Sequence, residues 1–155
     1  MARHPRIPIE LTRRPFTLEE AFRAGVTKSM LKGRSWLRIG SKLYKWSGTT
    51  EDHWRLLAAW QRRLPAYAVF SGATAAWMLC LDFSPHDQVE IAVPSRSGIR
   101  RQHGLSVRRA EISAEDIVAV RGLRATSLIR TLSDVCLSWQ ASRRSWHSTW
   151  RLPGA

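Results

Sequence analysis

Apolar and polar positions along the chain repeat with helical spacing in some stretches and strand spacing in others. Leu18, Ala21 and Phe22 stand at i, i+3 and i+4, and Thr17 with Glu20 three residues later is a capping-box signature, so a helix is expected there. Gly25 follows at a position where a helix end needs positive φ. Thr27 then opens a second expected helix through about Arg34, with Met30 and Leu31 inward. Small Ala21, then Gly25, then branched Leu31 is the spacing of a helix-turn-helix, and a helical turn around Ile9–Arg13 could supply the third helix. Residues 36–46 are rich in aromatic and branched side chains around Gly40-Ser41, which predicts a hairpin whose register stays open between a two- and a three-residue loop. A hairpin directly after a helix-turn-helix is the winged variant.

Beyond a short linker, Ser47 to Thr50, the pattern changes. A helix is expected over Glu51–Leu64, with His53, Leu56, Leu57, Trp60 and Leu64 on one face and Pro65 closing it. Ser71 is expected to cap a buried helix to Leu81. Alternation at Val89, Ile91 and Val93, and again at Leu105 and Val107, predicts strands, and Ile117–Val120 turns at Arg121-Gly122 into Leu123–Ala125. Thr126 or Ser127 caps a last helix with Leu128, Ile129, Leu132, Val135 and Cys136 inward. The expected fold class is therefore α/β in the α+β sense. An N-terminal winged helix-turn-helix occupies residues 1–47 and a small mixed α/β domain residues 51–137. After Leu137 the stripe stops: residues 138–155 contain no acid, three Trp and three Arg, a composition expected of a disordered or frameshifted tail.

Charge sharpens this picture. The chain has 155 residues with 44% apolar and 24% charged, enough to bury a core, yet a net charge of +13 points to a polyanionic partner. The first fifty residues carry eleven basic and three acidic side chains, and all four Lys (Lys28, Lys32, Lys42, Lys45) fall inside one eighteen-residue window. The longest nearly apolar run, Ala66 to Leu81, is 16 residues and too mixed for a membrane span. The N-terminus has no apolar h-region, so a cytoplasmic location without membrane contact is expected. Cys80 and Cys136 offer neither a disulfide framework nor zinc spacing, and no metal or cofactor is expected.

Lys28, Ser29 and Lys32 lie opposite Met30 and Leu31 on the second expected helix, where recognition helices present side chains to the major groove. Lys can donate to guanine O6/N7 and Ser to several base edges. Arg38, Lys42 and Lys45 of the wing, with Arg13, Arg14 and Arg34 nearby, are expected to meet phosphates or the minor groove. Catalytic arrangements do not form. A magnesium nuclease of the restriction type needs Asp and Glu-x-Lys, but Glu90 is followed by Ile91 and Ala92. His86-Asp87 reads as a turn, His53 as a core residue, and Ser71-Gly72 as a helix cap with no His and carboxylate beside it. The Arg96 to His103 loop reads equally as a nucleic-acid contact or a solvated loop. No enzymatic activity is expected.

Taken together, Phe16 to Ala21, Ala24 to Thr27 and Gly40 to Tyr44 resemble the N-terminal winged helix of AbiEi-type antitoxins, from type IV abortive-infection toxin–antitoxin systems. Ser71 to Trp77, Val89 to Pro94, Arg121 to Ser127 and Arg130 to Asp134 resemble the domain that follows it, and the likeness covers about residues 8–137. The resemblance implies a DNA-binding repressor of its own operon that recognises double-stranded operator DNA through Lys28, Ser29, Lys32 and the wing. It also implies a functional partner, a nucleotidyltransferase-type toxin that need not touch it. Proteins with this front end also continue into endonuclease domains similar to very-short-patch repair enzymes, so a remnant of such a two-domain protein, without its catalytic half, is the alternative.

Overall fold

The computed structural model describes residues 7–84 and 88–147. The element order is α1 (Ile9–Thr12), β1 (Phe16–Thr17), α2 (Leu18–Arg23), a 3-10 turn (Met30–Lys32), β2 (Trp36–Gly40), β3 (Leu43–Trp46), α3 (His53–Arg63), β4 (Val69–Phe70), α4 (Gly72–Met78), β5 (Val89–Val93), β6 (Leu105–Arg109), a 3-10 turn (Ala114–Asp116), β7 (Ile117–Val120), β8 (Leu123–Thr126) and α5 (Leu128–His147). The protein is mixed α/β with two sheets: a three-stranded sheet in the order β1-β3-β2 and a five-stranded sheet in the order β6-β5-β4-β8-β7.

In the first unit the capping box forms. Thr17 Oγ1 accepts the Glu20 N–H at 3.2 Å and Glu20 Oε2 accepts the Thr17 N–H at 2.7 Å, so two helix-end donors are satisfied reciprocally. Ala21 and Leu31 are buried and Gly25 has φ +78°, as their spacing predicts. Phe22, expected inward, is half exposed because six residues of helix offer only one buried face, and Ala21 fills it. Phe16 is the centre of this core, with Trp36 edge-on at 5.3 Å and Tyr44 stacked at 6.3 Å.

The second expected helix, Thr27 to Arg34, is not there. Thr27 Oγ1 accepts the Met30 N–H at 3.4 Å, the start of a cap, but only a 3-10 turn follows. Gly33 is already extended, and Trp36 must be buried in β2 three residues later, so too few residues remain to nucleate an α-helix. The hairpin is there, with Trp36 opposite Trp46 and a bulge between Arg38 and Gly40 that leaves Ser41-Lys42 as the turn. Lys42 takes φ +55° in it.

The five-stranded sheet carries the larger core, with Trp60, Phe70, Ile91, Leu105 and Ala125 between α3, α4 and the strands. β7 and β8 form the expected hairpin about Arg121-Gly122. β5 and β6 are parallel, so residues 94–104 must cross over without a helix. The Arg109 guanidinium holds that crossover by donating to the carbonyls of Ser95, Ser97 and Ile99 at 3.1, 2.6 and 3.2 Å. Leu43 of the hairpin belongs to this second core, and Gly40 abuts Trp60 so closely that a Cβ would overlap its ring. The two units are thus docked through the hairpin.

The last helix differs from expectation in face and in length. Leu128, Ile129, Leu132 and Cys136 are exposed, as are Leu137 and Trp139. The inward face belongs to Thr131, whose hydroxyl meets Thr126, and to Asp134, whose Oδ1 takes Arg108 and Arg130 at 3.1 Å each. Those buried polar anchors rotate the apolar stripe outward. The helix also runs to His147, so the first ten residues of the expected disordered tail are helical, while residues 148–155 lie outside the described residues. Among the described residues no helix is long and apolar enough to cross a membrane.

Candidate nucleic-acid interface

Lys28, Ser29, Lys32 and Arg34 are all exposed and surround Leu31, whose 5% exposure anchors the turn in the first core. Lys28, Lys32 and Arg34 have no carboxylate partner among the described residues, so their charge faces solvent uncompensated. Ser29 shares its hydroxyl with Thr27 Oγ1 at 2.9 Å, which ties it into the turn. The short turn therefore presents the residues read from the sequence, on a loop rather than on a helix.

The remaining expected phosphate contacts divide. Arg38 is exposed on β2, its Nε donating to the Gly40 carbonyl at 3.2 Å. Lys42 is exposed at the hairpin turn but lines a hollow with Thr17, Glu19, Glu20 and Arg62, facing α2 and α3 rather than the Lys28 turn. Lys45 is tied to Glu51 at 3.3 Å with only 16% of its side chain exposed, so it is largely removed from the set. Its alternation in the hairpin gave no sign of that pairing, because Glu51 lies beyond the linker. Arg13 and Arg14 sit beside β1, at the other edge of the three-stranded sheet from the turn, against α3: Arg55 donates to the Arg13 carbonyl and Arg14 pairs with Glu20 at 3.1 Å.

Glu20 is the ionisable group whose behaviour the fold most clearly alters. Burial pushes its carboxyl up, but the Thr17 N–H bond and the guanidiniums of Arg62 and Arg14 outweigh that and hold it below the usual carboxylate range. A carboxyl depressed in this way contributes stability that is complete above its unfolded pKa and is lost as pH falls through the lower folded value. Thermal melts of wild type and Glu20→Gln from neutral pH to about pH 3 should therefore converge on acidification, since the glutamine keeps the cap but carries no charge. Parallel curves would show that Glu20 is not linked to folding.

Glu90 is engaged structurally. The Glu90 carboxylate accepts the Ala73 N–H at 2.9 Å, and the Glu90 N–H donates to Thr74 Oγ1 at 2.9 Å, which fastens α4 to β5. A Cβ at Gly72 would overlap that carboxylate. Ser71 is buried at the start of α4 without a side-chain cap bond. His53 begins α3 with its ring 5.7 Å from that of Trp77, half-buried at a cleft of about 330 Å³ between the units. Arg100 and Arg101 are exposed on the β5–β6 crossover. His86 and Asp87 lie outside the described residues. No group of three or more His, Cys, Asp and Glu is placed to hold a metal ion among the described residues.

The fold resembles a solved structure, that of the Rv2827c protein from Mycobacterium tuberculosis, at a TM-score of 0.54 and 20% sequence identity. The alignment covers 79% of this chain and 55% of the other, so this chain spans about half the length of that protein. No protein-family model and no curated protein matches the chain.

Proposed function

We propose that the protein is a sequence-reading, double-stranded-DNA-binding regulator whose first unit is a winged helix with a shortened reading element. The observation that carries the reading is the turn holding Lys28, Lys32 and Arg34, exposed and without a carboxylate partner among the described residues, directly before the β2–β3 hairpin. The order α1, β1, α2, turn, β2, β3, with β1 paired to β3, is the order of a winged helix in which the turn stands where the recognition helix would be. The finer reading, an autorepressing antitoxin of a type IV system beside a nucleotidyltransferase toxin, rests on the motif resemblance, and an adjacent nucleotidyltransferase reading frame would support it. The proposed role is binding rather than catalysis.

A mobility-shift assay on the protein's own upstream DNA at two salt concentrations tests the reading. Arg34, Arg38 and Lys42 can neutralise about three phosphates, so the log–log salt slope should be at least as steep as about −2.5. Specific over random duplex should be favoured by a factor of at least about a thousand. Equal affinity for random DNA, or a slope near zero, would overturn it.

A further inference from the structure

Four arginines line one hollow where α3 packs on the first unit. Arg13 and Arg14 from the α1–β1 loop and Arg55 and Arg62 from α3 line a hollow of about 350 Å³ floored by Ala58. Two are held in place by backbone: Arg55 donates to the Arg13 carbonyl, and Arg62 Nη2 donates to the Pro15 carbonyl at 3.3 Å. The counter-ions are few. Asp52 pairs with Arg55 at 3.1 Å, and a single oxygen of Glu20, Oε1, is divided between Arg14 at 3.1 Å and Arg62 at 3.5 Å. Arg62 also lines the neighbouring hollow, where Arg23, Arg63 and Lys42 outnumber Glu19 and Glu20, so a net basic surface continues around α2. Like charges crowded in this way repel unless an anion joins them, and guanidiniums fixed beforehand lose little freedom when one does.

We propose that this seam is a second phosphodiester-binding surface. On it Arg13, Arg14, Arg55 and Arg62 grip the backbone of duplex DNA, and Glu20 is the internal counter-ion that a phosphate displaces. The inference rests on the DNA-binding reading above and extends it to α3, outside the reading turn. The seam and the turn flank the three-stranded sheet, α3 touching β1 at one edge and the 3-10 turn touching β2 at the other. One duplex laid across the sheet meets both: the turn supplies base preference and the seam supplies affinity common to every sequence.

The test is fluorescence anisotropy on a labelled duplex of about two helical turns, specific and random, across a salt series. Arg55→Ala with Arg62→Ala should weaken both duplexes by the same factor and flatten the salt slope by about two, because each lost phosphate contact removes roughly 0.9. Base preference should stay intact. Ala58→Glu leaves all four arginines in place and should weaken both duplexes alike, which guards against a loss caused by undocked units. Glu20→Gln should tighten binding to both several-fold. Wild-type affinity and slope in both the arginine variant and Ala58→Glu, while Lys28→Ala with Lys32→Ala abolishes base preference, would overturn the seam and leave the reading turn standing. Failure of the wild type to bind any duplex would overturn both. If inorganic phosphate raises the melting temperature of wild type but not of Ala58→Glu, at matched ionic strength, the seam is an anion site. Equal shifts in the two proteins count against it.

Discussion

Gly104→Ala is expected to destabilise the protein by about 3–4 kcal/mol. Gly104 has φ +74°, where an L side chain costs about 1–2 kcal/mol, and its Cβ would overlap the Ile39 carbonyl oxygen. That oxygen belongs to β2, so relief must move the hairpin away from the five-stranded sheet. Moving it uncovers Leu43 and the Trp60 ring beside Gly40, both at 0% exposure, for roughly another 2 kcal/mol. In a chain of this size the melting temperature should fall by roughly 10 °C. Gly122→Ala is the control: φ is +77° there too, but a Cβ would meet nothing within 4 Å, so only the conformational cost of about 1–2 kcal/mol remains. Equal losses in the two variants would show that the units do not depend on this contact.

The largest binding effect is expected from the reading turn. Lys28→Ala and Lys32→Ala should each cost about 1–3 kcal/mol on the specific duplex and relax base preference, since a lysine at a guanine edge carries sequence information. On random DNA each should cost much less. Lys42→Ala should weaken all sequences alike, because its contacts position the protein without reading it. Arg100→Ala with Arg101→Ala should matter little. If that pair abolishes binding while Lys28→Ala and Lys32→Ala leave it intact, the β5–β6 crossover is the reader and the function assigned to the first unit is wrong.

Much of this architecture follows from local pattern. The capping box of Thr17 and Glu20, the Ala21–Gly25–Leu31 spacing, strand β5 and the hairpin about Arg121-Gly122 are each set by residues a few positions apart, so their chemistry can be read along the chain. The exposure of the cations at 28, 32, 34, 38 and 42 is likewise evident, because a charged side chain beside a buried apolar residue has one way to face.

Other features exist only because distant segments meet. β1 and β4 are two residues each, too short for any period, and are strands because β3 in one case and β5 and β8 in the other supply their hydrogen-bonding edges. The apolar run over 66–81, read as leading into a single buried helix, is a central strand followed by a shorter helix. α5 shows the limit of periodicity most clearly. Its stripe of Leu128, Ile129 and Leu132 is correctly amphipathic, but which face turns inward was decided by Thr131 and Asp134 finding Thr126, Arg108 and Arg130 on other elements. A period reports that two faces differ; the partner across the interface decides which one is covered. The same holds for the basic set. The sequence by itself determined how many cations the first unit carries and which flank the hairpin. Only the tertiary structure decided that Lys45 is neutralised by Glu51 and that Arg13 and Arg14 stand with Arg55 and Arg62, because Coulomb attraction and screening act through space rather than along the chain.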